Sequence, residues 1–143
     1  MSYKDVVLLA SIVIITASLT PAFALTELER ASIIDPRLVN AFGAPIGNSI
    51  NVDQQIQVSA DVINNQEKTQ KFAYLVQIKN ENAVVVFFGW VVGELNPYQK
   101  FNPSLSWTPK ESGEFTAEIF VWEGFPVSHK ALSEYVTLKI NVS

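Results

Sequence analysis

Apolar and polar residues alternate through most of the chain after residue 31, and this period of two constrains the fold more than any other feature. Successive side chains of a β-strand point to opposite faces, so alternation is typical of strands with one buried face. The expected inward rows are Ile56, Val58, Ala60 and Val62; Phe72, Tyr74, Val76 and Ile78; Phe101, Pro103, Leu105 and Trp107; Phe115, Ala117, Ile119 and Val121; and Val136, Leu138, Ile140 and Val142. With further strands over 37–42 and 83–92, the pattern predicts an all-β antiparallel sandwich of about seven strands.

Turn-forming residues separate these strands. Segments rich in Asn, Pro and Gly occupy residues 64–68, 80–82 and 109–113, and these residue types favour the backbone angles of tight turns. No stretch after residue 31 repeats its apolar residues with the helical period of about 3.6, so a parallel βαβ fold is not expected. We therefore expect one folded domain over residues 36–143.

A nearly continuous apolar run, from Val6 to Leu25, precedes the alternating region. It closes on a Pro-Ala-Phe-Ala segment whose small residues suit a signal peptidase, which favours a cleaved signal peptide over residues 1–24. The alternative is an N-terminal helix retained as a membrane anchor over residues 6–25, because about 20 apolar residues span a hydrocarbon core of about 30 Å. Residues 25–35 would form a spacer. Both alternatives place the domain outside the cytoplasm, extracellular or at the cell surface.

The composition excludes several classes of function. The chain has no Cys and one His, which rules out disulfides, zinc fingers, thiol catalysis and a histidine-rich metal site within one chain. Acidic residues outnumber basic residues by 14 to 10, so no nucleic-acid partner is expected. The carboxylates are scattered and form no calcium-loop motif. We expect no enzyme activity, no cofactor and no metal.

The segment Leu105–Ala117, with Trp107, Pro109 and Gly113 in order, resembles a motif of exported immunoglobulin-like domains. It is similar in particular to the cell-adhesion-related domain of bacteria and archaea, as in small secreted proteins of ammonia-oxidising archaea. The turn 95–99 resembles a family turn in which Gly stands at the position of Tyr98. The resemblance implies a single immunoglobulin-like β-sandwich that serves as a spacer, an adhesin or a subunit of a complex, without catalytic residues.

The segment Ala83–Val92 departs from the alternation, since apolar residues occupy both parities of this predicted strand. One set of side chains belongs in the core. The other set either packs beneath a loop or contacts a partner, because a long exposed apolar strand promotes aggregation. We expect the outward row to contain Val85, Phe87 and Val91, and the exposure of Trp90 stays open.

The loop Trp122–Glu134 is a second candidate contact region. It carries Trp122, Phe125 and His129, and we expect these side chains at one end of the sandwich, where loops commonly bind partners. His129 is expected to be an exposed loop residue. Trp107 falls on an inward row, so core packing explains it better than carbohydrate binding.

These features predict an exported, non-catalytic structural or adhesive module. Its partner would be another protein, a membrane protein or a second copy of the chain. The alternative is an accessory subunit of a membrane-embedded enzyme complex, with residues 6–25 retained as a transmembrane span.

Overall fold

A computed structural model describes residues 24–143 and contains one short 3₁₀ turn followed by ten β-strands. The turn covers Glu27–Glu29. The strands are β1 (Ala31–Val39), β2 (Pro45–Ile46), β3 (Ser49–Ile50), β4 (Ile56–Asn64), β5 (Gln70–Asn80), β6 (Val85–Leu95), β7 (Lys100–Phe101), β8 (Ser104–Trp107), β9 (Gly113–Trp122) and β10 (Val136–Val142). Three strands have two residues and seven have four or more, which confirms the predicted all-β fold.

The strands form two sheets that pack face to face. Sheet I has the order β2-β1-β4-β7, and β8 also pairs with β4. Sheet II has the order β3-β10-β9-β5-β6. The β3–β10 pair is parallel and the other pairs are antiparallel. Strand β6 therefore lies at one edge of sheet II.

The core lies between the two sheets and contains most of the predicted inward side chains. The rows on β4, β5 and β9 are buried, whereas Phe101 on β7 is 43% exposed. The hydroxyl of Tyr74 on β5 donates to the carbonyl of Val58 on β4 at 3.1 Å. This bond crosses from one sheet to the other, and burial raises the pKa of the Tyr74 hydroxyl. Trp107 packs edge-to-face on Phe115, with 5.3 Å between ring centroids, as the inward-row prediction requires.

The first strand begins earlier than predicted. Strand β1 starts at Ala31, inside the expected spacer 25–35, and the pairing register shifts between Ile34 and Arg37. Asp35 adopts a positive φ of 51° at this irregularity, and Pro36 cannot donate a ladder hydrogen bond. The predicted first strand, over 37–42, therefore differs from β1 at both ends, because Pro36 lies within an interrupted strand rather than before it.

The outer face of sheet I carries a compact charged network around Asp61. The carboxylate of this buried side chain lies 2.7 Å from Lys100 Nζ and 2.9 Å from Arg37 Nη1, and Asn102 donates a further hydrogen bond. The Lys100 and Arg37 bonds hold the pKa of Asp61 below its ordinary value, although burial acts in the opposite direction. The buried carboxylate of Asp61 thus has both charged and hydrogen-bonding partners, which offset the cost of its burial.

Two hairpin turns have the same hydrogen-bond pattern but different residues at the critical position. In the β1–β2 turn, the Gly43 N–H donates to the carbonyl of Asn40 at 3.0 Å; in the β5–β6 turn, the Ala83 N–H donates to Asn80 at 3.0 Å. Gly43 has a φ of 79° and Ala83 a φ of 60°. A left-handed backbone suits Gly and strains Ala, so Ala83 occupies a position better suited to Gly.

Replacing Ala83 with Gly should therefore stabilise the protein by about 1 kcal/mol, because relief of the left-handed strain exceeds the entropic penalty of Gly. The midpoint of chemical denaturation measures this effect. Ala44→Gly is the matched control, since Ala44 does not have a positive φ, and it should give no gain. An unchanged or lower midpoint for Ala83→Gly would contradict the strain argument.

The predicted signal peptide or anchor lies almost entirely outside the described residues, which begin at Ala24. Among residues 24–143, no helix has the length and hydropathy needed to cross a membrane.

Candidate contact surface

A β-bulge in strand β6 determines which apolar residues face outward. Ile78 of β5 lies opposite Phe87, but the next residue, Lys79, lies opposite Val85. Val86 is therefore the extra residue in the ladder, and the alternation of side chains changes parity there. Because Lys79 pairs with Glu118 on the outer face of sheet II, its neighbour Val85 also lies on that face.

This bulge corrects the predicted outward row of β6. Phe87 and Val91 are partly buried and pack against the core, so their assignment to the outward row was wrong. Val85 is 47% exposed and Trp90 is 45% exposed. The outward row also contains Phe88, because it alternates with the inward residues of the regular ladder.

Aromatic rings form a continuous group on the outer face of sheet II, which we call the outer aromatic cluster. Its members are Phe88, Trp90, Phe120, Trp122, Phe125, His129 and Tyr135. The tightest contact joins Trp90 and Phe125, with 4.8 Å between centroids and an interplanar angle of 65°. Edge-to-face pairs of this kind are favourable beyond the area that they bury.

The loop after β9 folds back onto sheet II and completes this cluster. Phe125 lies 5.5 Å from Phe88, centroid to centroid, and His129 lies 5.9 Å from Phe125. The expectation that the loop side chains lie at the end of the sandwich is thus corrected, since they reach over the face. His129 itself is exposed, as expected.

Two β5 side chains are completely buried although they point away from the core. Leu75 lies opposite Trp90 on one side and Phe120 on the other, and Ala73 lies opposite Val92 and Trp122. Both Leu75 and Ala73 are 0% exposed. The outer aromatic cluster therefore covers a second, smaller apolar layer on the outside of sheet II.

An ion pair fastens the loop to the segment before β1. Arg30 Nη1 lies 2.5 Å from Glu123 Oε1, and Arg30 Nη2 donates to the Ala131 carbonyl at 3.1 Å. The bond from Arg30 holds the pKa of the Glu123 carboxyl below its ordinary value of 4.5, although desolvation opposes the shift. Arg30 thus contacts both ends of the loop that carries Phe125.

Neutralising this ion pair should loosen the loop while leaving the sandwich folded. The pair is present above the ordinary Glu pKa of 4.5 and is lost as pH falls through the lower pKa of folded Glu123. Arg30→Met should remove this pH dependence, increase amide exchange over residues 123–131, and cost at most about 1 kcal/mol because the pair is partly solvated. Lys110→Met, which breaks an exposed pair with Asp53, is the control. If the amide exchange rates over residues 123–131 are the same in Arg30→Met and Lys110→Met, Arg30 does not hold the loop in place.

Three members of the outer aromatic cluster were not among the predicted contact residues: Phe88, Phe120 and Tyr135. Phe120 and Tyr135 stack with 5.2 Å between centroids. A signal for Phe120 exists in the sequence, since it alternates with the inward row of β9 and so faces outward. The orientation of Phe88 follows from its place opposite Gln77 in the ladder with β5, and the sequence carries no signal for it because both parities of β6 are apolar.

An open apolar cleft of about 440 Å³ lies between the two sheets beside the free edge of β6, and its walls include Phe72, Val91, Phe101 and Pro103. In the portion of the chain that the structure describes, no three His, Asp or Glu side chains are grouped closely enough to hold a metal ion.

Solved structures with a similar fold include the C-terminal domain of Wzt, with a TM-score of 0.68 and 15% identity over 82% of this chain and 76% of that chain. A CARDB domain from Pyrococcus furiosus, solved in complex with di-metal ions, has a TM-score of 0.53 and 17% identity over 82% of this chain and 97% of that chain. The fold is an immunoglobulin-like β-sandwich.

A similar fold also occurs within a larger protein. A β-glucosidase from Erythrobacter marinus matches with a TM-score of 0.57 and 12% identity over 79% of this chain and 15% of that chain. At such identities the likeness shows the fold alone. No protein-family model and no curated protein matches the sequence. The likeness to a CARDB domain agrees with the immunoglobulin-like fold that the motifs around Trp107 imply.

Proposed function

We propose that this chain is an exported, non-catalytic structural or adhesive module that presents the outer aromatic cluster to a protein partner at the cell surface. The cluster is the observation that carries the proposal. Phe88, Trp90 and Tyr135 are 42%, 45% and 52% exposed although they belong to a packed aromatic group. Aromatic side chains that are held rigid and left partly exposed are typical centres of protein interfaces.

The contrast between the two outer faces supports this choice of surface. On sheet I, the buried carboxylate of Asp61 accepts hydrogen bonds from Arg37, Lys100 and Asn102. On sheet II, apolar rings are exposed. Contact with a partner would bury the apolar face at a gain of about 25 cal/mol per Å², whereas burying the charged face would require desolvating it.

The similarity to a CARDB domain supports a role in adhesion or assembly rather than in catalysis. His129 lies among aromatic rings, at 5.8 Å from Trp122 and 5.9 Å from Phe125, and so forms part of the proposed contact surface. Export rests on the apolar run Val6–Leu25 and its small-residue cleavage site.

Two measurements on the native protein test location. A reagent that modifies lysines and cannot cross membranes should label the chain on intact cells, and no labelling would overturn surface presentation. The intact mass then separates two forms of the proposal. Loss of residues 1–24 supports a free or wall-bound module, whereas retention together with co-purifying membrane proteins supports an accessory subunit of a membrane complex.

A paired substitution tests the contact surface. Phe88→Ala with Tyr135→Ala should reduce cross-linking of the chain to its partner on cells by about tenfold or more, because central aromatic residues dominate interface energies. Phe42→Ala is the matched control, since Phe42 is 95% exposed at the distant β1–β2 turn. Equal cross-linking of the wild-type chain and the paired variant, with both folded, would overturn the role of the cluster.

A further inference from the structure

The edge of sheet II formed by β6 is long and unpaired. Strand β6 has 11 residues and pairs with β5 along one side, and within residues 24–143 no strand pairs with its other side. The backbone N–H and C=O groups on that side are available for another strand. This edge adjoins the most exposed apolar row of the outer face.

Natural edge strands commonly carry features that prevent pairing, and β6 has few of them. Between Val85 and Gly93 it contains no charged residue and no Pro. The bulge at Val86 interrupts the ladder near one end, but the nine residues from Phe87 to Leu95 pair with β5 in regular register. The part of this edge that is both regular and uncharged, from Phe87 to Gly93, invites strand addition.

The regular part of β6 is self-complementary about Val91. Consider an antiparallel pair of two copies with the two-fold axis at Val91. A residue that precedes Val91 in one copy then lies opposite the residue that follows Val91 by the same number of positions in the other copy. Trp90 of each copy then lies opposite Val92 of the other, which is a favourable aromatic–aliphatic cross-strand pair. Glu94 lies opposite Phe88, so no like charges meet. Gly89 lies opposite Gly93 on the inner side.

We propose that two copies of this chain join their β6 edges about a two-fold axis at Val91. The ladder of the pair extends sheet II from five strands to ten and places the two outer aromatic clusters side by side on one face of the dimer. The inference goes beyond the proposed function, because the contact is the strand edge and the outer aromatic clusters stay exposed.

Charge-reversed variants test the pairing and its register. The double variant Trp90→Lys with Val92→Lys places a lysine of one copy opposite a lysine of the other copy at both of these cross-strand pairs. The side chains that are replaced, Trp90 and Val92, are 45% and 63% exposed. The full-length variant in mild detergent should dimerise at least about tenfold more weakly than wild type, because like charges directly opposite each other repel. Mixing it with Trp90→Glu with Val92→Glu should restore a mixed dimer. Phe42→Lys with Thr137→Lys adds the same charge away from β6 and should dimerise like wild type.

Light scattering gives the mass of each sample, and circular dichroism confirms its fold. A monomeric wild-type chain at about 100 µM, where a dimer of micromolar affinity would be formed, would overturn the proposal. A folded lysine variant that dimerises as wild type does, or a mixture that stays monomeric, would also overturn it. These results leave surface labelling unaffected, so a failure of the dimer is distinguishable from a failure of the proposed function.

Hydrogen exchange of the wild-type chain gives a test that depends on no variant. The amides of β6 that point away from β5 should become protected as the concentration rises from about 1 to about 100 µM, since dimerisation buries them in a ladder. Rapid exchange of those amides at both concentrations would overturn the proposal even if the substituted chains fail to fold.

Discussion

Replacing Leu75 with Ala should reduce the free energy of unfolding by about 2–4 kcal/mol, the loss typical of a buried Leu. This result would be unusual for a side chain that points away from the space between the two sheets. Leu75 is nevertheless 0% exposed, because the rings of Trp90 and Phe120 lie on either side of it and the loop after β9 covers the face. Urea denaturation, with the slope compared between variants, measures the effect.

Gln77→Ala provides the control for Leu75→Ala. Gln77 lies two residues along the same strand and on the same face, opposite Phe88 and Glu118, but it is only partly buried. Its replacement should change stability by no more than about 0.5 kcal/mol. A loss for Leu75→Ala as small as that of the control would mean that the aromatic layer does not cover the outer face in solution.

Replacing Trp107 with Ala should reduce the free energy of unfolding by about 3–5 kcal/mol, the loss typical of a buried aromatic residue. Trp107 is 7% exposed and packs against Phe115. It also lies opposite Ile56, where β8 joins β4. Removing the ring leaves a cavity between the sheets as well as losing its burial. Calorimetry should show a lower melting temperature and a smaller unfolding enthalpy.

Trp90→Ala is the matched control, since it removes the same side chain from the outer face. Because Trp90 is 45% exposed, its loss should destabilise the domain by clearly less, about 1–2 kcal/mol. Equal destabilisation by the two substitutions would contradict the assignment of Trp107 to the core and Trp90 to the surface.

The predictions made from the sequence succeeded where polar and apolar residues alternate strictly. On β4, the predicted inward residues Ile56, Val58, Ala60 and Val62 are all buried. A register shift of one residue would place this entire row in solvent, so the alternation determines the register of the strand. The same reasoning failed on β6. Both of its parities are apolar, so a bulge at Val86 exchanges the faces without leaving a signal in the composition.

The contact surface could be predicted only in part, because it combines residues that are distant in the chain. Trp90 and Phe125 were both candidates, yet the loop folds onto β6 through contacts such as the Arg30–Glu123 pair, which spans 93 positions. No local pattern encodes that pairing. The conformation of the turn at Tyr98 was predictable from the family resemblance, which expects Gly at this position. Tyr98 indeed has a positive φ of 57°, the backbone conformation that favours Gly.

The hydrogen bonds at the two ends of the sandwich have a mechanical consequence. Near one end the Arg30 carbonyl accepts from Asn65, and near the other Ser143 donates to Ile50 and accepts from Val52. A tensile load applied at residues 30 and 143 would therefore act along the strands. Ladder hydrogen bonds lie across the strands, so such a load would shear many of them at once instead of opening them singly. The domain should therefore resist unfolding by a load along its strands more strongly than by a load across them.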